Sequence, residues 1–289
     1  MTSCSSETRR ARPLLGTLVE IRVQGGGLAA RSAVDEAFRA VEAVQQAMSF
    51  HDPGSELSRL NRNACGQAMK VSSALWRVLS EALRLAKLSH GAFDPTVGAR
   101  LVQWRILPAP QSPAPSPSAS TWLDVRLLPG RRVRFMRPLW LDLGGIAKGF
   151  AVDLAVSILR RHRISAGVVN AGGDLRVFGS RAERVHVRHP DQPACLVPLA
   201  DLSDAALATS AGYFSEQRCG GRRVNALVNP LLQRPCSSRR SVSVQAPTCM
   251  LADALTKIVL VHGDAAEAML RHCRASAMIL EGVRARRLA

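Results

Sequence analysis

A glycine pair followed by a lysine is the part of this sequence with the clearest potential for chemistry. Gly144 and Gly145 follow a short apolar run, and Lys148 lies three residues further on, at the start of an apolar helical pattern. Such a turn can hold a phosphate, because glycines let the backbone approach an anion and a helix N-terminus favours negative charge. The spacing matches neither G-x-G-x-x-G nor G-x-x-x-x-G-K-[ST], so a purely structural turn remains an alternative.

Other short segments along the chain combine glycines, acids and hydroxyl residues. One of them repeats the arrangement of a strand, a glycine pair and an acid, which suggests that two such turns share one site. The segments are, in chain order, Gly16-Thr17, Asp94 with Thr96, Gly172-Gly173-Asp174, Thr209-Ser210, and Asp253 with Thr256.

Taken together, these segments resemble the ApbE family of FAD:protein FMN transferases, and the resemblance runs from Gly16 to about Val261. It implies a flavin transferase that splits the pyrophosphate of FAD, moves FMN to a Ser or Thr hydroxyl of an acceptor protein and releases AMP. It also implies Mg²⁺, a hard cation that binds carboxylate, carbonyl and phosphate oxygens.

The resemblance places the metal at Ala147, Asp253 and Thr256, with the backbone carbonyl of Ala147 as one ligand. On a helix, Asp253 and Thr256 face the same side because they are three residues apart. Relatives carry a hydroxyl residue four positions after this aspartate, where this chain has Lys257. Either Thr256 binds the metal in a shifted register, or Lys257 pairs with Asp253 and weakens the metal site or takes part of its electrostatic role. Asp253, Thr256 and Lys257 are therefore the predicted catalytic residues, and an ordinary surface ion pair is the structural alternative.

The remaining matched positions are predicted to bind FAD. His51 stands where relatives have a tyrosine that stacks on the flavin, and Leu15 stands where they have methionine. Asp174 could instead order its turn, and Ser55 could cap a helix. The predicted FAD-binding residues are Leu15, Gly16, Thr17, His51, Ser55, Glu56, Asp94, Thr96, Gly144, Gly145, Lys148, Gly172, Gly173, Asp174, Thr209 and Ser210.

Two substitutions keep other functions open. Ala226 and Asn229 occupy positions where relatives have a histidine and an aspartate. If that histidine moves protons in relatives, its acid and base role is missing here. The alternatives are a non-catalytic FAD-binding or carrier protein, and an FAD pyrophosphatase that uses water and yields FMN and AMP.

Composition indicates a globular protein with a large core. The chain has 289 residues, of which 47% are hydrophobic, and a mean hydropathy of +0.03. The net charge of +17 raises the question of nucleic-acid binding, but only 4% of the residues are aromatic and no recognition motif is present. No specific nucleic-acid partner is expected, whereas a positive field would attract anionic FAD.

Cysteine spacing and the N-terminal segment bear on metal content and location. The seven cysteines lack C-x-x-C spacing, which supports neither a zinc site nor a disulfide framework. Residues 1–13 are basic without an apolar core, so we expect no signal peptide and a cytoplasmic location, or a periplasmic one if the N-terminus is truncated. No apolar stretch is long enough to span a bilayer.

Hydrophobic periodicity predicts an α+β fold, with largely antiparallel sheets flanked by helices in two intimately packed lobes. Residues 1–13 are predicted to be a flexible terminus and residues 14–289 a single domain, which contains a Pro/Ala/Ser-rich loop at 108–120. The predicted helices cover about 28–48, 73–89, 145 onward, 248–261 and 264–273, with a short one after Ser55. The predicted strands cover about 17–23, 124–128, 132–136, 166–170, 174–178, 184–188, 195–199, 206–209, 224–228, 242–245 and 277–281.

Overall fold

The computed structural model describes residues 6–110, 114–192, 194–282 and 284–289. The described chain contains seven helices and seventeen strands, and ten of the strands follow one another without an intervening α-helix. The helices are α1 (Gly27–Met48), α2 (Glu56–Asn63), α3 (Ser73–Leu88), α4 (Gly98–Gln103), α5 (Ala147–Arg161), α6 (Cys249–His262) and α7 (Glu267–His272). The strands are β1 (Glu7–Leu14), β2 (Thr17–Gln24), β3 (Met69–Lys70), β4 (Val125–Leu128), β5 (Arg132–Phe135), β6 (Gly167–Ala171), β7 (Asp174–Phe178), β8 (Glu183–Arg188), β9 (Leu196–Leu202), β10 (Ala206–Ala211), β11 (Gln217–Cys219), β12 (Arg222–Val224), β13 (Val228–Asn229), β14 (Arg234–Pro235), β15 (Arg240–Ala246), β16 (Ser276–Glu281) and β17 (Arg284–Leu288).

One eight-stranded antiparallel sheet organises the molecule, in the order β1-β2-β6-β7-β10-β15-β16-β17. Strand β2 shows the period-two pattern that builds its covered face, because Val19, Ile21 and Val23 are all fully buried. Helices α5 and α6 pack on each other and on the sheet, and α1 packs against α5. The predicted α+β class with antiparallel sheets is confirmed.

A smaller three-stranded sheet, in the order β3-β5-β4, joins the same hydrophobic core. Phe135 of β5 and Leu79 of α3 are buried in one cluster with Val19 of the large sheet and Ile258 of α6. Described residues of both sheets therefore share one continuous core, which is the packing expected of two intimately packed lobes.

The predicted flexible terminus is wrong for residues 7–13, which belong to strand β1. Its residues pair with β2 from Glu7 opposite Gln24 to Leu14 opposite Thr17. Sequence patterning missed this strand because Thr8, a polar residue, is its only buried residue. An edge strand is held by backbone hydrogen bonds and needs little apolar patterning. Residues 1–5 lie outside the described residues.

Several other predicted elements change at their boundaries. The strand predicted over 224–228 is divided between β12 and β13, and the helix predicted over 264–273 begins with a 3₁₀ turn before α7. Helix α4 and strand β17 were not predicted. In the predicted loop, residues 108–110 and 114–120 contain no helix or strand, and residues 111–113 lie outside the described residues. Within the described chain, no helix is long and apolar enough to cross a membrane.

Candidate functional site

A cavity of about 790 Å³ lies where α1, the segment before α5, strand β10 and helix α6 come together. Its wall is largely apolar and is interrupted by a small number of polar groups, which is the usual composition of a small-molecule site. The larger apolar side chains in the wall are Leu15, Met48, Phe50, Phe93, Leu101, Ile106, Leu107, Phe214 and Leu227. The polar groups include Gln45, His51, Asp94, Asp142, Lys148, Thr209, Ser210 and Lys257.

The glycine pair is placed on the cavity wall, as its sequence context predicts. Neither Gly144 nor Gly145 has a positive φ, so backbone conformation does not require glycine there. The space is tight, however, because a Cβ on Gly145 would lie 3.2 Å from Cε of Lys257. Helix α5 begins directly after this turn, but the N–H of Ala147 already donates to the carbonyl of Leu143. The turn therefore lets a ligand come close to the backbone. It offers fewer free N–H groups at the start of α5 than the sequence suggests.

Lys148 carries its charge between the cavity and two buried acids. Its ammonium forms an ion pair with Oδ2 of Asp174, and its Nζ lies 3.9 Å from Oδ2 of Asp253. The side chain is 33% exposed, whereas the side chains of Asp174 and Asp253 are almost or fully buried. Helix α5 thus places the ammonium of Lys148 in the cavity wall, and the two acids that balance its charge lie outside the wall.

Lys257 supplies a second ammonium to the same acids from helix α6. Its Nζ forms an ion pair with Oδ1 of Asp253 and donates to the backbone carbonyl of Asp253 at 3.0 Å. The i, i+4 spacing on the helix brings the two side chains together. Lys257 lines the cavity, so the contact is part of the site and not a surface pair.

The electrostatic balance favours the charged form of Lys148 and the ionised form of Asp253. Burial opposes ionisation of Asp253, but Lys148, Lys257 and the N–H of Gly149 outweigh it and lower its pKa. Burial also works against the charged form of Lys148, yet Asp174 and Asp253 raise its pKa above the ordinary value. The pKa of Asp174 is raised, first by burial and then by the neighbouring Asp253.

Thr256 does not line the cavity, although it is fully buried beside it. Its hydroxyl donates to the backbone carbonyl of Asp253 at 2.6 Å and lies 2.7 Å from Oγ of Ser210. The prediction that Asp253 and Thr256 present their oxygens together is wrong, because the threonine hydroxyl bonds back to its own helix. Such back-bonding is common for threonine within helices.

The donor set does not fit a magnesium ion at Asp253. Oδ1 of this carboxylate is held by Lys257, and Oδ2 accepts the N–H of Gly149 at 3.2 Å. The hydroxyl of Thr256 is engaged elsewhere, which leaves the carbonyl of Ala147 as the remaining predicted ligand. Among the described residues, no group of three or more His, Cys, Asp or Glu side chains could hold a metal. Mg²⁺ prefers an octahedral shell of oxygens with anionic ligands, and these residues do not supply it.

Asp142 is a polar residue of the cavity that sequence reasoning did not assign. It comes immediately before the glycine turn, and its Oδ1 accepts the N–H of Gly144 at 3.2 Å. Burial raises its pKa, against the effects of that hydrogen bond and of His51 and Lys257. The sequence could have indicated this residue, since Asp142 lies two positions before Gly144, the first glycine of the pair.

Eleven of the predicted site residues line the cavity and nine do not. Those in the wall are Leu15, Gly16, His51, Asp94, Gly144, Gly145, Ala147, Lys148, Thr209, Ser210 and Lys257. Those outside the wall are Thr17, Ser55, Glu56, Thr96, Gly172, Gly173, Asp174, Asp253 and Thr256. Asp174 and Asp253 still act on the site through their ion pairs with lysines in the wall.

Three residues outside the wall have structural roles instead of the predicted contact with FAD. Ser55 caps α2 by accepting the N–H of Ser58, and Glu56 accepts both the N–H and the hydroxyl of Ser72. Thr96 donates its hydroxyl to Asp94 at 2.7 Å. These polar side chains were matched by type and order, but their hydrogen bonds hold turns and helix ends.

The second glycine pair forms the two-residue turn between β6 and β7. Gly172 and Gly173 both have positive φ, which is the conformation that such hairpin turns require. A Cβ on Gly172 would overlap the side chain of Thr17, so this turn packs against the first residue of β2. Thr17 and Gly172 therefore support the position of Asp174 and do not reach the cavity themselves.

Ala226 lies exposed at the cavity, at the position where a histidine was expected from the resemblance. Its N–H donates to Oγ of Ser215 at 2.9 Å, and its methyl side chain cannot carry a proton as an imidazole can. The neighbouring Phe214, which is 68% exposed, also contributes to the wall. Asn229 accepts the N–H of Leu232 at 3.0 Å and holds a turn.

The sequence and the fold match known proteins. A model of the ApbE family matches residues 15–280. A FAD:protein FMN transferase of Vibrio cholerae is 31% identical over 87% of this chain and 80% of its own length, and one of Treponema pallidum is 29% identical over 90% and 82%. The solved structure of the ApbE protein from Thermotoga maritima has a TM-score of 0.86 at 26% identity and covers 98% of this chain and 97% of its own. The flavin transferase ApbE from Vibrio cholerae has a TM-score of 0.83 at 26% identity, over 99% and 97%.

Proposed function

The chain belongs to the ApbE family, and from this premise we propose that it transfers FMN from FAD to a Ser or Thr hydroxyl of an acceptor protein and releases AMP. The family and the transferase class that the motifs predicted are confirmed. The acceptor hydroxyl, the release of AMP and the residues that act are the parts proposed here.

The observation that carries the proposal is a large, mostly apolar cavity that contains two lysines beside a glycine turn. FAD combines a flat apolar ring with a doubly charged pyrophosphate, and the wall offers a counterpart for each. Leu15, Phe93 and Leu227 would contact the ring, while Lys148 and Lys257 would face the phosphate oxygens. Ammonium groups in a partly buried site are effective against developing phosphate charge.

The proposed reaction is a displacement at the phosphorus of the FMN half. The acceptor oxygen forms a bond to that phosphorus, and the bond from the phosphorus to the bridging oxygen breaks. AMP leaves with the bridging oxygen and its electron pair. Charge grows on the phosphate oxygens and on the leaving AMP, so Lys148 and Lys257 lower the barrier by lying close to both.

We propose that Asp142 accepts the proton of the acceptor hydroxyl. It lines the cavity next to the glycine turn, and none of the ion pairs found in the described chain involves it. Burial raises its pKa, which makes the carboxylate a stronger base than an exposed aspartate. Asp142 would thus act as the base, a role that the methyl side chain of Ala226 cannot perform.

The magnesium ion implied by the resemblance is given no step in this reaction. Its expected ligands, Ala147, Asp253 and Thr256, do not form a matching set, because Lys257 and Ser210 already hold the acidic and hydroxyl oxygens. The two ammonium groups supply positive charge from the protein itself.

The test is intact-mass analysis of a flavin-acceptor domain after incubation with the protein and FAD, in the presence of Mg²⁺ and separately of EDTA. The expected result is a mass increase of one FMN less one water, with an equal amount of AMP. The matched control is the same acceptor with its target Ser or Thr replaced by Ala, which should gain no mass.

Two other results would contradict transfer and select an alternative. Free FMN and AMP without any mass increase would indicate a pyrophosphatase that uses water. FAD that stays bound with neither product would indicate a binding or carrier protein.

A further inference from the structure

We propose that the ammonium of Lys257 takes the place of a divalent cation at the pyrophosphate, so that this protein acts on FAD without a metal ion bound at Asp253. The inference rests on the proposed function for its substrate. Its structural basis, the exclusion of a metal from this carboxylate, is independent of that function.

The first argument is the position of the ammonium. Nζ of Lys257 contacts both Oδ1 and the backbone carbonyl of Asp253, so one cation already bridges two oxygens of this residue. Oδ1 is one of the two carboxylate oxygens through which Asp253 would bind a metal ion, and the ammonium already occupies it. The side chain is only 17% exposed, and its stem packs against Gly145. The lysine is held in the wall beside the glycine turn, and not free to swing away.

The second argument is charge. Lys148 and Lys257 provide two positive charges, and Asp174 and Asp253 provide two negative ones in contact with them. These four ion-paired groups thus balance one another without any added ion, and Asp142 lies nearby outside the ion pairs. A divalent cation at Asp253 would lie beside two ammonium groups in a buried site, where like charges repel strongly.

The third argument is the state of the other oxygens. The hydroxyl of Thr256 is bonded to the carbonyl of Asp253 and to Ser210, and Oδ2 of Asp253 accepts the N–H of Gly149. An incoming ion would have to displace several hydrogen bonds as well as an ammonium. Replacement of Lys257 by threonine would remove the charge and place a neutral oxygen on the same helix face.

The direct test measures metal binding by the electron paramagnetic resonance of Mn²⁺, with the purified full-length protein and FAD present. Three proteins are compared: wild type, Lys257→Thr, and Lys87→Thr as a matched control on the exposed face of α3. We expect wild type and the control to leave Mn²⁺ free and Lys257→Thr to bind it at least about tenfold more tightly. Added Mg²⁺ should displace the bound Mn²⁺.

Two results would overturn the inference. Stoichiometric Mn²⁺ binding by wild type would show that the lysine does not exclude a metal. An absence of binding in all three proteins would show that removal of the ammonium does not open a metal site. A folding check by circular dichroism accompanies each variant, and the wild-type measurement decides the matter even if Lys257→Thr does not fold.

The activity measurement is the release of AMP from FAD with the acceptor present. Wild type should keep its rate in EDTA within about twofold, whereas Lys257→Thr should lose about 100-fold in EDTA and recover in Mg²⁺. A wild-type rate that disappears in EDTA and returns with Mg²⁺ would refute the inference while leaving the transferase intact. If no AMP appears under any condition, the proposed function fails, and Mn²⁺ binding still decides whether Lys257 excludes a metal.

Discussion

The two cavity lysines differ in how each is held. Lys257 is bound to the acid of its own helix, while Lys148 reaches from α5 to Asp174 of β7 and towards Asp253 of α6. Buried ion pairs of this kind add little net stability, because desolvation offsets much of the attraction. Their value here is positional, since they fix two positive charges in the wall of a cavity.

Replacement of Lys148 by methionine should damage both function and stability. Asp174 would lose its only nearby ammonium contact in the described chain, and the resulting loss in the free energy of unfolding should be about 3–5 kcal/mol. The kcat/KM for FAD should fall about 100-fold. Denaturant unfolding and steady-state kinetics measure the two effects. Lys87→Met, at an exposed position, is the control, and an unchanged kcat/KM would exclude Lys148 from the pyrophosphate site.

Asp142 should set the acidic limb of the pH profile. A carboxylate base acts only when ionised, and burial raises the pKa of Asp142, so activity should fall as pH drops through a pKa above the ordinary aspartate value of about 3.9. Asp142→Asn should lower kcat about 100-fold and abolish that limb. Asp264→Asn, on the surface opposite Arg286, should leave the profile unchanged. An identical limb in Asp142→Asn would assign it to another group.

The sequence identified residue types well and contacts less well. Lys148, Lys257 and the glycine pair, which the sequence assigns to the site, all line one cavity. Ser55, Glu56 and Thr96 were matched with equal ease, yet each is used to hold a turn or a helix end. A polar side chain that caps and one that binds a ligand have the same sequence signal, and only the partner distinguishes them.

At the scale of elements, the close contact of α5 with α6 determines the geometry of the acids. A Cβ on Gly149 would overlap the backbone of Cys249, so the helices meet where glycine leaves no side chain between them. Asp153 of α5 accepts the N–H groups of Cys249 and Met250 and so caps the start of α6. This cap was not predicted, because it joins residues almost one hundred positions apart in the chain.

The turn between β6 and β7 provides a matched pair of glycine substitutions. Both Gly172 and Gly173 have positive φ, so replacement of either by alanine should cost about 1 kcal/mol in conformational strain. Only a Cβ on Gly172 meets the side chain of Thr17, and none lies within 4 Å of one on Gly173. The free energy of unfolding of Gly172→Ala should therefore be lower than that of Gly173→Ala by about 1–3 kcal/mol. Equal losses in chemical denaturation would contradict the packing of this turn on Thr17.

Periodicity predicted the elements that are buried on one face and failed for those that are not. Helices α1 and α3 lie within one residue of their expected bounds, because their apolar spacing is regular. Strands β1 and β17 carry mainly exposed residues and were not recognised. Their positions depend on backbone pairing with β2 and β16, which no side-chain pattern records.

At the scale of the whole molecule, the two ends of the described chain form the two edges of the large sheet. Strand β1 pairs with β2 along its full length, so alternate amides of residues 7–14 should be protected from hydrogen exchange. The amides of Ala114 and Ser116, which lie outside helices and strands, should exchange rapidly in the same experiment. Rapid exchange throughout residues 7–14 would contradict the pairing of β1 with β2 and would indicate a flexible terminus.

The open edges of this sheet have a consequence for how the protein behaves when crowded. Each edge strand carries three arginines, Arg9, Arg10 and Arg12 in β1, and Arg284, Arg286 and Arg287 in β17. An unpaired edge is a template for strand addition by another molecule, but like charges facing each other oppose that approach. Four of these arginines, Arg9, Arg10, Arg12 and Arg286, also pair with acids of their own molecule, which reduces the charge that each edge presents. The positive charge that is left should still disfavour edge-to-edge strand addition between two copies.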